Sequence, residues 1–599
     1  MSKTVENTIG KGTWIDKIAD TIVEREKKLS RSTGLIRVES GLGASGIPHI
    51  GSMGDAVRAY GISLALQNLG FKSELVAFSD DLDGLRKVPY GMPEWLNEYI
   101  CKPVSSIPDP FGDCHQSYGD HMSGLLLEGL DASNIKYVFK SGTKTYRDGI
   151  LADQTHKILS KSKLIGDKIS ELSGQQKYTQ FLPYFPICEQ CNRLYVANSV
   201  EYIPDERVVT YTCSGNTIGK KPIKGCGHKG QSKIDLGNGK LAWKVEFAAR
   251  WEAFDIRFEA FGKDIMDSVR INDWISEEIL GYHHPLHAKY EMFLDKGGKK
   301  ISKSAGNVLT PQMWLRYGTA QSLLLLLFKR ISGTRHVGID DIPQLMDEYD
   351  LYEDIYFGKA KEPNDSKRIK LNGIYEYINH LDPPKTYPAL HIPYRILIQQ
   401  ASLFRNQSIE ADIVNQILDR LKKYGLVRNE DYSNKLLKDK INLAIRWANE
   451  ISSDDDVTVS GTVQTGETDG EISEQASTGL SEEQKNLLQK IIVEFENLQQ
   501  KLNQPNLTSV GSDTLNINNN NDNKSNSNSN SNDNDNDELA QEIQSIIFHS
   551  AKSNNLQPKE VFRLFYRILI NSERGPRLGN YIADLGLSNV IPILVKKIS

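Results

Sequence analysis

The stretch Gly41-Leu42-Gly43-Ala44-Ser45-Gly46-Ile47-Pro48-His49-Ile50-Gly51-Ser52 constrains the fold more than any other. It follows an apolar run at 34–40 and opens a long helical pattern that ends at Gly70, so it reads as strand, glycine-rich turn, helix. Pro48 suits the first helical turn and Gly70 the C-terminal cap. A second apolar run, Leu75 to Phe78, completes a β-α-β unit, which starts a parallel sheet. A turn of this kind is suited to phosphate, because its glycines expose backbone N–H groups beside the positive end of a helix dipole. Gly41, Gly43 and Gly46 also satisfy the dinucleotide pattern G-x-G-x-x-G, a weak signal when it stands alone.

At 599 residues the chain is too long for a single core. The sheet pattern fills 1–95, gives way to an irregular insertion at 96–240 that holds all six cysteines, and resumes at 241–310 through Leu241 to Trp251 and Phe254 to Lys263. From Thr310-Pro311 the period is helical, giving an all-α region over 311–599. Within it lie two polar tracts, 453–480 and 504–538, whose composition cannot offset the entropy of ordering and which read as solvent-exposed insertions. Between them Ser481 and Gln484 form a capping box, followed by an apolar stripe at Leu488, Ile491, Phe495, Leu498 and Leu502.

The net charge of −5 is misleading for the same reason. The two tracts carry twelve net negative charges, so the rest of the chain is about +7 and compatible with an RNA partner. The longest conspicuous apolar run, Leu323 to Phe328, is far short of the ~18 residues a membrane span needs. With a polar N-terminus and clustered rather than scattered cysteines, the expected location is the cytoplasm.

A second stretch carries chemistry: Gly297-Gly298-Lys299-Lys300-Ile301-Ser302-Lys303-Ser304-Ala305-Gly306-Asn307. Lysines on a glycine-flanked loop can close over a polyphosphate and neutralise charge as it leaves. Together with Pro48-His49-Ile50-Gly51, this loop resembles the paired HIGH and KMSKS signatures of class I aminoacyl-tRNA synthetases. Trp14 to Ile22, Ser79 to Pro89, Asp109 to His121, Tyr146 to Asp148, Trp243 to Trp251, Phe258 to Asp264 and Glu573 to Gly579 narrow the resemblance to the class I lysyl-tRNA synthetases. It runs nearly end to end, apart from the two polar tracts. Ser52 stands where the superfamily motif has a second histidine, Ile301 replaces Met, and Gly43-Ala44 replaces a proline-containing turn.

The resemblance implies a Rossmann-like catalytic domain with a zinc-binding insertion and an α-helical anticodon-binding domain, with ATP, Mg²⁺, lysine and tRNA(Lys) as ligands. His49, Lys300 and Lys303 would be catalytic, with Ser45, Gly46, Gly51, Ser52, Ser302 and Ser304 joining them around ATP. Gly43, Asp80 and Asp81 would hold the amino acid, since carboxylates at the C-terminal end of the second strand suit an ammonium group. Trp243 and Trp251 read as core.

Cys188-x2-Cys191 with Cys213 and Cys226 supplies four thiolates for a tetrahedral Zn²⁺, His228 being an alternative to Cys213. Asp109, Cys114, His115 and His121 form a second candidate set, with Asp113 an extra residue relative to the family pattern. Basic segments near Lys422-Lys423 and Arg563 to Arg577 suit phosphate contacts and helix packing equally. The rival readings are another class I synthetase (glutamyl or arginyl), a dinucleotide-dependent oxidoreductase, and a tRNA-binding paralogue without catalysis. The oxidoreductase leaves the lysine loop unexplained.

Overall fold

The computed structural model describes residues 9–112, 114–299, 308–387, 390–405, 412–451, 480–503, 531–554, 556–570 and 577–598, with 573 and 575. The chain divides into two compact units, Met1–Tyr387 and Pro388–Ser599.

The first unit is built on five parallel strands. In chain order its elements are α1 (Trp14–Lys28), β1 (Ile36–Leu42), α2 (Ile50–Asn68), β2 (Ser73–Ser79), α3 (Tyr118–Ala132), β3 (Val138–Ser141), α4 (Trp243–Phe254), β4 (Ile256–Gly262), α5 (Met266–Ile275) and β5 (Leu286–Tyr290). The strand order is β5-β4-β1-β2-β3, and every neighbouring pair is parallel. The order reverses between β1 and β4, and in open α/β sheets that switch point is where a ligand crevice opens.

Local chemistry explains the helix ends. Thr13 and Asp16 form a capping box at α1, and the second oxygen of Asp16 accepts from the Tyr377 hydroxyl at 2.6 Å. Gly70 follows the α2 cap with φ +89°, the left-handed conformation that glycine adopts without steric cost. Pro48, by contrast, lies one residue before the cap rather than in the first turn, because His49 itself is the N-cap.

Helix α2 is buried on nearly all sides, which is why its sequence is only weakly amphipathic. The leucine run forms α6 (Ala320–Phe328), fully buried from Ser322 onward. A Cβ on Gly61 would lie 2.7 Å from the Phe328 ring, so the glycine lets α6 approach α2 closely.

Three boundaries differ from the sequence expectation. Strand β3 belongs to the parallel sheet, although it falls inside 96–240; its half-exposed edge position gives Val138 and Phe139 no buried periodicity. The stretch 243–254, read as sheet, is the helix α4: a short helix buried all round has the same apolar run as a buried strand. Helices between 311 and 378 belong to the first unit, where α7 (Asp365–Ile378) reaches α1 through Tyr377 and Asp16.

The insertion carries its own small sheets. These are a three-stranded antiparallel sheet (Asn198–Ile203, Val208–Thr212, Lys229–Lys233), a hairpin (Gly215–Ile218 with Lys221–Lys224) and a pair of strands, Tyr184–Pro186 with Gly239–Leu241.

The second unit is helical in its described residues. Ser481 and Gln484 cap α8 (Glu482–Asn503) reciprocally, at 3.0 and 3.2 Å. The apolar stripe is buried from Leu488 to Leu498, while Leu502 is exposed. Helix α9 (Ser531–Ser553) begins inside the range assigned to the second polar tract. The rest of that tract, to residue 530, and 452–479 lie outside the described residues. No single described helix is long and apolar enough to cross a membrane.

Candidate active site

At the switch point, a cavity of about 340 Å³ is lined by Gly41 at the end of β1 and Gly43 just after it, His49, Gly51 and Ser52 at the start of α2, Asp80 after β2, and Glu259 to Gly262 on β4. Seven residues, 43–49, separate β1 from α2. A dinucleotide fingerprint would instead start its helix within the glycines, so the G-x-G-x-x-G match at 41–46 does not have the dinucleotide geometry.

His49 is fixed by the helix it caps. Its Nδ1 accepts the Ser52 backbone N–H at 3.2 Å, which leaves the proton of the neutral ring on Nε2 as a donor. Gly51 is required by this arrangement: a Cβ there would lie 2.8 Å from the His49 ring. Ser52 therefore serves His49 through its backbone while its residue lines the cavity. Ser45 and Gly46 are not among the lining residues. Ser45 is exposed and its carbonyl accepts from Tyr118 at 3.1 Å.

The floor of the cavity is a buried charge network. Arg250 on α4, 1% exposed, meets Glu39 at 2.8 Å, Asp80 at 3.2 Å and Glu259 at 3.7 Å. The other Glu259 oxygen accepts from the Trp251 indole at 2.5 Å. Beside it, buried Lys240 pairs with Asp83 at 2.5 Å and Glu246 at 3.0 Å, and Glu246 also accepts from Tyr146 at 2.7 Å. Five carboxyls thus surround two cations. Burial pushes both Glu39 and Asp80 up from the ordinary carboxylate range, against the pull of Arg250. An additional cation in the cavity would relieve this excess.

Asp81 has a different task. Its carboxylate accepts from the Ser141 hydroxyl at 2.5 Å and the Thr143 N–H at 2.6 Å, which ties β2 to the end of β3, and it does not line the cavity. Of the two aspartates expected at the amino acid, the structure brings only Asp80 to the site.

On the α2 side Asp55, Arg58 and Tyr290 line the cavity, with the Arg58 guanidinium 4.4 Å from the Tyr290 ring centre. Burial pushes Asp55 up to about 7, although Arg58 is only 3.6 Å away.

The lysine loop, with Lys300, Ser302, Lys303 and Ser304, lies outside the described residues. Its base is described: Phe293–Leu294 pairs in parallel with Arg335–His336, and Phe293 lines the cavity. The Asp295 N–H donates to the Lys299 carbonyl at 2.7 Å, which closes a turn at 295–299 just after Phe293.

Sequence reasoning missed Arg250, Glu39, Glu259, Asp55, Arg58 and Tyr290. It also assigned Trp243 to the core, whereas Trp243 is half-buried and lines the cavity; Trp251 is core as expected. The stretches 243–251 and 258–264 carry the family resemblance only as whole segments, which marks no single residue within them.

Both cysteine-containing clusters expected from the sequence could hold metal. The sulfurs of Cys188, Cys191, Cys213 and Cys226 lie within 4.8 Å of one another, with Cys188–Cys226 at 3.6 Å and Cys191–Cys213 at 3.8 Å. A tetrahedral Zn²⁺ with ~2.3 Å bonds requires sulfurs about 3.8 Å apart, so the set fits. His228 turns instead to Glu189 at 3.4 Å, which leaves Cys213 as the fourth member.

The second cluster also closes. From Asp109 Oδ2 the distances are 3.2 Å to Cys114, 3.7 Å to His115 and 3.0 Å to His121. Cys114, His115 and His121 are 3.1–3.3 Å from one another. Asp113 lies outside the described residues.

A family model for tRNA synthetases of class I (K) matches residues 12–380. The chain is 48% identical over 98% of its length, and 98% of the relative's, to a lysine–tRNA ligase of Cenarchaeum symbiosum (strain A). It is 27% identical, over the full length of both chains, to a lysine–tRNA ligase of Rickettsia bellii (strain OSU 85-389). A solved glutamate–tRNA ligase of Elizabethkingia meningosepticum covers 94% of this chain and 99% of its own at 13% identity, with a TM-score of only 0.32. With its model matched over most of the chain and a relative alike from end to end, this chain belongs to the class I (K) tRNA synthetases.

Proposed function

We propose that the chain is a lysine–tRNA ligase. It activates lysine with ATP to lysyl-adenylate and pyrophosphate, then transfers lysyl to the 3′-terminal ribose of tRNA(Lys). The observation that favours a cationic amino acid is the excess of buried carboxyls around Arg250 and Lys240 at the cavity floor; the end-to-end likeness to a lysine–tRNA ligase favours lysine over arginine. A cationic amino acid supplies the missing charge; an acidic one would add to the excess.

The chemistry is mainly positioning and electrostatics. The lysine carboxylate attacks the α-phosphate, the bond to the bridging β-phosphate oxygen breaks, and pyrophosphate leaves. In the second step a terminal ribose hydroxyl attacks the lysyl carbonyl carbon and AMP leaves. His49 donates from Nε2 to the ATP phosphates beside the first-turn amides of α2, with Gly51 and Ser52 keeping the ring in place. Ser45 and Gly46, in the loop before His49, are the remaining candidates on the ATP side.

Lys300 and Lys303, with Ser302 and Ser304, take the β- and γ-phosphates, and Mg²⁺ shares that charge when ATP binds. Gly43 and Asp80 face the amino acid. The four-cysteine cluster holds a structural Zn²⁺, and Asp109, Cys114, His115 and His121 a second. The helical second unit contacts the anticodon arm of the tRNA, and the enzyme works in the cytoplasm.

The test is ATP–pyrophosphate exchange with a panel of amino acids. Lysine alone should drive exchange, and Lys303→Ala should slow it by orders of magnitude while the far-ultraviolet spectrum stays unchanged. Exchange driven by glutamate or arginine instead, or near-normal exchange in the variant, overturns the reading.

A further inference from the structure

Beside Glu259 and Phe261, which line the cavity, lies a third cluster that the chemistry above does not use. Asp273 on the last turn of α5 faces His287 on the edge strand β5, with His287 Nε2 2.9 Å from Asp273 Oδ1. His284, just before β5, presents Nδ1 3.6 Å from the same oxygen. The two imidazoles are nearly parallel, at 7°, with centres 5.6 Å apart.

The hydrogen-bond ledger of this cluster does not close with neutral rings. His287 Nδ1 is 3.2 Å from the Glu259 carbonyl oxygen, and its Nε2 faces Asp273, so both nitrogens meet oxygens that only accept. His284 Nδ1 likewise faces two acceptors, Asp273 and the Pro285 carbonyl at 2.8 Å. A neutral imidazole has one proton, so at least one nitrogen of His287 directs a lone pair at an oxygen lone pair.

Donation from Nδ1 to a backbone carbonyl is the outer contact that orients a metal-bound histidine through its other nitrogen. Glu277 steadies the turn from outside. One of its oxygens accepts the His284 backbone N–H at 3.1 Å, and the other is 3.0 Å from His283 Nδ1.

We propose that Asp273, His284 and His287 form a third metal site, which takes a divalent transition ion such as Zn²⁺ or Co²⁺. Asp273 Oδ1, His287 Nε2 and His284 Nδ1 are the protein ligands; the Pro285 carbonyl or water completes the set. Bonds of ~2.1 Å at angles between octahedral and tetrahedral place ligand atoms about 3.0–3.4 Å apart. The observed 2.9 and 3.6 Å bracket that range. The ion clamps α5 to the edge strand. Its influence on the cavity is indirect: His287 pairs with Glu259 across the sheet, and its ring lies 5.2 Å from Trp251, the indole that holds the Glu259 carboxylate.

The test uses the full-length protein carrying whatever metal its thiol clusters retain, titrated with Co²⁺ after removal of loosely bound ions. The wild type should take up one further equivalent, with weak d–d absorption and no thiolate charge-transfer band, because its ligands are nitrogen and oxygen. The same equivalent of Zn²⁺ should raise the melting temperature. His284→Gln should weaken this uptake by at least about tenfold and abolish the Zn²⁺-dependent rise. The His284 side chain is one-third exposed, so this variant is expected to fold. Asp273→Asn, which keeps the shape of the side chain, should do the same. Absence of the further equivalent in the wild type, or its full retention in both variants, overturns the site. Two imidazolium rings neutralising Asp273 and Glu277 without metal would give that negative result.

Discussion

His49 and Gly51 act as one unit. The histidine caps α2 with Nδ1, and this fixes both the ring's direction and the nitrogen that carries the proton; the glycine removes the methyl that would push the ring away. Gly51→Ala should therefore leave the fold intact, since alanine is a better helix former. The displaced imidazole should slow lysine-dependent pyrophosphate exchange by about tenfold to a hundredfold, the scale expected for a misplacement near 1 Å. Melting and exchange measured on the same preparation separate the two effects; unchanged exchange would show that the ring position does not matter. His49 and Gly51 were legible because motif and local structure coincide. Glu39 and Arg250 were not. In the run 34–40, Arg37 and Glu39 alternate with Ile36 and Val38 and so read as a solvated face, and nothing local reveals that both faces of a central parallel strand are covered. Asp81 illustrates the opposite failure, because a carboxylate at a strand end reads equally as ligand and as cap, and its partners Ser141 and Thr143 lie some sixty residues away.

At the scale of elements, β1, β2, α4 and β4 each bring charge to one point: Glu39, Asp80, Arg250 and Glu259. The surplus of carboxyls has a pH signature whose sign follows from burial. A carboxyl whose folded pKa is raised binds its proton more tightly in the native state, so it contributes stability at low pH that is lost as pH rises. The window opens at the ordinary carboxylate range and runs up to neutrality, because burial raises both Glu39 and Asp80; Asp55 on the opposite wall, pushed up to about 7, titrates over the same span. The unliganded protein should therefore lose stability between pH 6 and 8. Lysine should offset that loss, so its stabilising shift in melting temperature should be larger at pH 8 than at pH 6. Melting curves with and without saturating lysine at both values decide it; an equal shift would show that the carboxyl surplus does not meet the ligand. The elements themselves were legible in uneven measure. The β1–α2–β2 unit and the capped α8 follow from periodicity and caps. Helix α4 and strand β3 do not, since one is buried on every side and the other half-exposed at an edge, and neither condition leaves an alternating pattern.

For the whole molecule, charge and composition separate what binds from what merely intervenes. Outside its two polar tracts the chain is about +7, a balance suited to an RNA partner, while the tracts concentrate acid that would repel one. The tract at 504–530 offers only Leu507, Val510, Leu515 and Ile517 among polar residues, with none after 517, so it has little to contribute to a core. Helix α9 begins at Ser531, which makes the full 504–538 range too long to remove safely, because its last residues start a helix that packs within the second unit. Replacing 506–528 by a short Gly-Ser linker should leave pyrophosphate exchange unchanged and aminoacylation of tRNA within about twofold, since loop length costs stability only logarithmically. Exchange depends on the first unit and aminoacylation also on tRNA contact, so the pair of assays is diagnostic. A tenfold fall in aminoacylation with exchange intact would mean that the tract touches the tRNA. A fall in both would mean that the second unit depends on it to fold.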